Sequence, residues 1–69
     1  MKKISVVVAT YNEEENIKAM CDELLSIFSK QLPHYDYEII IIDNLSQDNT
    51  RKIVEEICMS NKKVKAIFN

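Results

Sequence analysis

Two short runs of β-branched residues, separated by one long amphipathic pattern, fix most of what this chain can become. The first run is Ile4-Ser5-Val6-Val7-Val8-Ala9 and the second is Glu38-Ile39-Ile40-Ile41-Ile42. Near-continuous valine and isoleucine marks a strand that expects cover on both faces. Between the runs, Ile17, Met20, Cys21, Leu24, Ile27, Phe28 and Leu32 recur at spacings of three and four. That is the apolar stripe of a helix of about five turns. Asn12 stands where a cap is wanted, and Glu15, three residues on, completes a capping box. The pattern stops before Pro33, since the residue ahead of a proline avoids helical angles. After the second run, Ile53, Val54, Ile57 and Cys58 mark a shorter helix, with Ser46 or Asp48 as its cap and Asn61-Lys62-Lys63 at its end. A weaker apolar run over residues 64–68 follows. The order is strand, helix, strand, helix, strand, which implies a parallel sheet with right-handed crossovers. The expected fold class is α/β, a β-α-β-α-β fragment in three layers with a parallel sheet.

The size of the chain makes the fragment reading stronger. Its 69 residues form one small domain, 1–69, and a chain this short buries only about 60% of the surface its unfolded form exposes. Three parallel strands and two helices are half a nucleotide-binding fold. The segment therefore reads as the front of something longer. Its open sheet edge invites pairing with another chain, so a homo-oligomer of this segment is expected.

Composition excludes several chemistries. The chain has no glycine, so neither a P-loop nor a G-x-G-x-x-G fingerprint is present. One histidine and two cysteines without a C-x-x-C pair fall short of a tetrahedral zinc set. Nine Lys and Arg against eleven Asp and Glu leave no basic stripe, so no nucleic-acid partner is expected. No apolar run approaches the roughly 20 residues of a membrane span. Thr10 and the acidic Glu13-Glu14-Glu15 interrupt the apolar start before it resembles a secretory leader. A cytoplasmic chain with reduced thiols is the simplest expectation. Cys21 and Cys58 fall on apolar helix faces, as core thiols do, and His34 sits in a loop.

In open α/β sheets, ligands bind beyond the carboxyl ends of the strands. Here the first strand ends in Ala9-Thr10-Tyr11-Asn12-Glu13-Glu14-Glu15 and the second in Asp43-Asn44-Leu45-Ser46-Gln47-Asp48-Asn49-Thr50. If the strands are neighbours, Tyr11 and Asn12 face Asp43 and Asn44 across one crevice. An aromatic ring offers a face to a flat base, and a carboxylate or amide oxygen accepts an imide N–H. Plainer roles stand beside each of these. Tyr11 can pack on the top of the sheet, and Asn12 can serve as a cap. The glutamates suit a helix N-terminus whatever the function. Asp43, directly after four isoleucines, is open to either reading. No Ser–His–Asp set is evident, and the Asp43–Asp48 spacing is not an EF-hand loop. No D-x-D pair offers a divalent-metal clamp for a diphosphate. Neither catalytic nor metal-binding residues are therefore assigned.

Residues 4–17 resemble the opening of the inverting glycosyltransferases of family 2, in which a first strand runs into a P-x-Y-N-E turn. Residues 38–50 resemble that family's strand ending in D-D-G-S-x-D-x-T. The acidic E-E-E-N turn is most like the branch that builds polyprenyl-phosphate sugars. The resemblance implies the N-terminal half of a GT-A fold, a Rossmann-like unit that binds a sugar nucleotide. By that resemblance Ala9 takes the place of the turn's proline, beside the nucleoside. Tyr11 matches the tyrosine against the base, and Glu13 the glutamate that helps hold the nucleoside. Asp43 and Asn44 match the acid pair, the second of which receives the imide N–H. Ser46, Asp48 and Thr50 match supports of the turn and next helix.

The departures bear on the ligand. Asn44 replaces a carboxylate with an amide, which donates as well as accepts. Uracil is then the first choice of base and guanine the second, giving a UDP-sugar before a GDP-sugar. Leu45 and Asn49 replace turn glycines, and leucine takes left-handed angles poorly. The family's D-x-D site, catalytic base and acceptor pocket lie beyond the matched stretch. The resemblance thus implies a full-length enzyme that transfers sugar with inversion, using a base and Mg²⁺ or Mn²⁺. It also implies a membrane-linked lipid acceptor and a place at the inner membrane face, with this segment alone inactive. The rival expectation is a small non-enzymatic interaction module that self-associates through its sheet edge.

Overall fold

The computed structural model describes residues 2–69. β1 (Lys3–Thr10), α1 (Ile17–Gln31), β2 (Asp36–Asp43), α2 (Thr50–Ser60) and β3 (Val64–Phe68) follow in the expected order. The sheet is parallel with strand order β1-β2-β3. Both crossovers step the same way across it, and right-handed crossovers stepping one way place both helices on one face.

Burial shows that face. Ile39 and Ile41 of β2 and Val64 of β3 form a core with Ile17, Cys21 and Phe28 of α1 and Val54 of α2. Ile4, Val6, Val8, Ala66 and Phe68 pack around it. The intervening residues look the other way, and Val7 and Ile67 are 61% and 53% exposed. The α/β order is as expected, but the expected three layers are two among the described residues. The strands carry valine and isoleucine on both faces, and only one face is covered here. Each fully buried isoleucine contributes about 1.5–3 kcal/mol of apolar burial.

The helix starts differ from expectation. α1 begins at Ile17, with Asn16 ahead of it and no side-chain cap bond. Asn12 is not a cap: its side-chain oxygen accepts from the Gln47 N–H, and its own φ is 50°. The capping box with Glu15 therefore does not form. Residues 11–16 are a turn, closed where Ile17 N–H donates to Glu13 O. α1 ends at Gln31, ahead of Pro33. Neither residue expected to cap α2 stands at its N-cap: Asn49 does, with no side-chain cap bond, while Asp48 accepts the Thr50 N–H from one residue earlier and Ser46 is turned elsewhere. Asn61 ends α2, donating its N–H to Ile57 O.

The amino end of the sheet is held by charge and stacking. Lys63 bonds Asp36 at 2.6 Å and Lys3 pairs with Glu38 at 3.2 Å. Phe28 and Tyr37 stack with centroids 4.3 Å apart, and the Lys63 ammonium lies over the Tyr37 ring. Cys21 is buried and Cys58 half-buried, and burial pushes both thiols up, which suits core residues. No helix among the described residues is long and apolar enough to cross a membrane.

Candidate nucleoside-binding site

Two turns meet beyond the carboxyl ends of β1 and β2, and strand register brings them together. Thr10 stands opposite Asp43, and the Asn44 N–H extends the ladder to Thr10 O at 3.0 Å. The floor is the Asp43 carboxylate, only 2% exposed. It accepts from the Thr10 hydroxyl at 2.8 Å, from the Ser46 N–H at 3.2 Å and from the Ser46 hydroxyl. Burial pushes its pKa up, but the bonds from Ser46 and Thr10 outweigh this and hold it below the usual aspartate value. Asp43 is thus ionised, with its oxygens spent inside the turns.

Above the floor, the turns are cross-linked. Asn12 N–H donates to Ser46 Oγ at 3.0 Å, and Gln47 N–H returns to Asn12 Oδ1 at 2.8 Å. Glu13 N–H donates to Thr50 Oγ1 at 2.8 Å and Glu14 N–H to Asp48 Oδ2 at 3.3 Å. Asp48 also takes the Thr50 N–H and hydroxyl. Burial raises its pKa, but the Thr50 and Glu14 donors outweigh it and leave the carboxyl lowered. Each turn includes one residue in the left-handed region, Asn12 at φ 50° and Leu45 at φ 54°. Asparagine visits that region readily, whereas for leucine it costs about 1–2 kcal/mol. The Leu45 side chain is 71% exposed, so the strain is not repaid by packing.

The five expected site residues all lie at this end of the sheet. Tyr11 is 57% exposed, Ala9 and Asn44 are exposed, and Glu13 is half-buried with its main chain bound to Thr50. Asp43 lies beneath them as a support. Asn44 Oδ1 accepts from Asn69 Nδ2 at 2.7 Å. Sequence reasoning missed Thr10, the bridging role of Asn12, and Asn69. Thr10 was within reach: it shares strand parity with Ile4, Val6 and Val8, and a polar residue ending a buried face needs a partner.

The arrangement can hold a flat ligand against an exposed ring beside an amide edge. Among the described residues no three His, Cys, Asp or Glu side chains gather as a metal site. Asp43 and Asp48 have their oxygens committed to the turns, so these residues do not fit a Mg²⁺ or Mn²⁺ site. A separate apolar groove between α2 and β3, lined by Cys58, Met59, Ala66 and Phe68 among others, does not include the turns.

Comparison with known proteins agrees with the turn motifs. The chain is 40% identical over 60 residues to a dolichyl-phosphate beta-glucosyltransferase of Mus musculus, covering 83% of this chain and 18% of the relative. Against the Homo sapiens protein of the same name it is 42% identical over 60 residues, with the same coverage. An undecaprenyl-phosphate 4-deoxy-4-formamido-L-arabinose transferase of Proteus mirabilis is 39% identical over 56 residues, covering 81% of the chain and 17% of the relative. These names match the polyprenyl-phosphate branch suggested by the acidic turn. The chain spans less than a fifth of the length of these relatives. Nothing in the comparisons supports a free-standing interaction module. The model of glycosyl transferase family 2 matches residues 5–69, both turns included, and the chain belongs to that family.

Proposed function

We propose that this segment binds the nucleoside of a nucleotide-sugar donor. The transferase that carries it moves the sugar to a polyprenyl phosphate, with inversion. The observation that carries this reading is the pair of cross-linked turns, which leave Tyr11 and Asn44 exposed over the buried Asp43 floor. In this reading Tyr11 lies against the base, Ala9 and Glu13 border the nucleoside, Asn44 meets the base edge, and Asp43 keeps the slot in shape. A UDP-sugar is the first choice and a GDP-sugar the second. The acceptor class is inferred from relatives named for dolichyl and undecaprenyl phosphates. Such an acceptor suits a cytoplasmic place at the inner membrane face. The catalytic base and the Mg²⁺ or Mn²⁺ ligands would come from outside this segment, which alone is inactive. Val7 and Ile67, exposed on the open sheet face, favour self-association of the isolated segment. A monomeric mass in sedimentation at micromolar concentration would count against that.

The test is nuclear magnetic resonance of the isotope-labelled chain with UDP and GDP. Amides of Tyr11 and Asn44 should shift, more at a given concentration with UDP. Tyr11→Ala should weaken binding about tenfold, since stacking on an aromatic ring contributes about 1–3 kcal/mol per base. Amides at both turns left unmoved by either nucleotide at millimolar concentration would sink the reading.

A further inference from the structure

Leu45 holds an unfavourable backbone angle without packing to offset it. Its φ is 54°, in the left-handed region, and its side chain is exposed. The angle is imposed from both sides. Ahead of Leu45, the Asn44 N–H is tied to Thr10 O at 3.0 Å. Behind it, Ser46 donates to the Asp43 carboxylate from both its N–H and its hydroxyl. Ser46 Oγ also accepts the Asn12 N–H at 3.0 Å. Residue 45 must therefore bend the chain back within one step, so that Ser46 can reach the carboxylate three residues behind it. Glycine does this freely and asparagine readily, whereas a branched apolar residue is poorly suited.

Strain that neighbouring bonds impose and packing does not relieve gathers at functional sites. The place of Leu45 in the fold says what its side chain can meet. Among the described residues, Val7, Tyr11, Tyr35, Leu45, Met59 and Ile67 are the large hydrophobic residues that stand exposed. Val7 and Ile67 belong to the open sheet face, Met59 to α2, and Tyr35 stands ahead of β2. Only Tyr11 and Leu45 lie in the turns beyond the carboxyl ends of β1 and β2. Tyr11 directly precedes Asn12 and Leu45 directly precedes Ser46, so the Asn12–Ser46 bond sets them on the two rims of one crevice. Asn44, the amide offered to the base edge, is the other neighbour of Leu45.

A flat base that rests on Tyr11 from the β1 side keeps apolar ring carbons for the β2 side. Resting on the nucleoside reading above, we infer that Leu45 is a further ligand-contacting residue of the slot, packing against the base across the crevice from Tyr11. Removing those ring carbons and the exposed leucine from water favours binding. The contact forms only with the ligand in place, so strain carried by the free chain is offset in the complex. Glycine at this position gives a more stable turn and a weaker slot.

The experiment compares UDP affinity and thermal melting of the wild-type chain, Leu45→Ala and Leu45→Gly. It also seeks nuclear Overhauser effects from the Leu45 methyl groups to the uracil ring protons. Both variants lack the side chain, but only glycine relieves the left-handed angle. Leu45 is exposed, so both keep the core, and dispersed amide spectra would verify that. Each should weaken UDP about fivefold, as loss of about 40 Å² of apolar contact would give. Only Leu45→Gly should melt higher than the wild-type chain. Met59→Ala, at an exposed apolar residue outside the turns, should leave UDP affinity unchanged. Wild-type affinity in both Leu45 variants, or a loss in Leu45→Gly alone, overturns the role of Leu45 and leaves the nucleoside reading standing. Absence of methyl-to-ring effects in a saturated complex does the same. If UDP leaves the Tyr11 and Asn44 amides of the wild-type chain unmoved, both readings fall together.

Discussion

The two ends of the sheet are tied by different kinds of bond. At the amino end, exposed Lys63 and Lys3 pair with the half-buried Asp36 and Glu38, and Lys65 approaches Glu38 at 3.9 Å. Such pairs give when the surface moves, weaken in salt and contribute little. At the carboxyl end, side-chain oxygens of Asp43, Ser46, Asp48 and Thr50 take main-chain N–H groups across and within two turns. Bonds of that kind fix backbone, and those to an ionised carboxylate are the stronger ones. The carboxyl end links two turns by directional bonds, whereas the amino end joins neighbouring strands by ion pairs, with Asp36 and Asn61 fixing backbone only locally.

The largest break in that contrast should come from Asp43→Ala. It leaves the Thr10 hydroxyl and both Ser46 donors without their acceptor, and urea unfolding should show a loss of about 3 kcal/mol. Acid should act on the same bonds. The carboxyls of Asp43 and Asp48 are held below their ordinary value. The stability they contribute is complete above the unfolded value of about 3.9 and is lost as pH falls through the lowered folded values. Circular dichroism should therefore show acid unfolding beginning below about pH 4, and Asp43→Asn should blunt it. Leu45→Gly should stabilise. Relief of about 1–2 kcal/mol of left-handed strain exceeds the roughly 0.5–1 kcal/mol of added chain entropy, for a net gain of about 0.5–1 kcal/mol in thermal or urea melts. The smallest effect should follow Lys63→Ala at the other end. Its cost should vanish in molar salt, while that of Asp43→Ala should persist; equal salt sensitivity at the two ends would erase the contrast.

Sequence periodicity carried the element order because Ile17, Cys21 and Phe28 of α1 and Val54 of α2 really do face one core. It overstated the layers because Val7, Ile40, Ile42 and Ile67 read as buried while their face is uncovered here. Helix starts failed at Asn12 for a non-local reason. Its side-chain oxygen serves Gln47, thirty-five residues away, and no local rule sees that partner. The same limit hid the Thr10–Asp43 bond and the Asn44–Asn69 pair, since each joins neighbours in the sheet that are far apart in sequence. The positions of the two turns were legible from Tyr11, Glu13, Asp43 and Asn44. How Asp43 spends its oxygens was not.

The cross-links between the turns are unequal in what they ask of each side. Glu13 and Glu14 contribute their main-chain N–H groups, which every residue but proline supplies, whereas Thr50 and Asp48 contribute side-chain oxygens. Substitution should therefore be tolerated unevenly. A library varied at positions 13 and 14 should yield folded chains with almost any non-proline residue. One varied at 48 and 50 should yield them chiefly with aspartate, asparagine, serine or threonine. Apart from Asn12, whose side-chain oxygen takes the Gln47 N–H, the first turn is left free to change its side chains, while the second holds the shape of both.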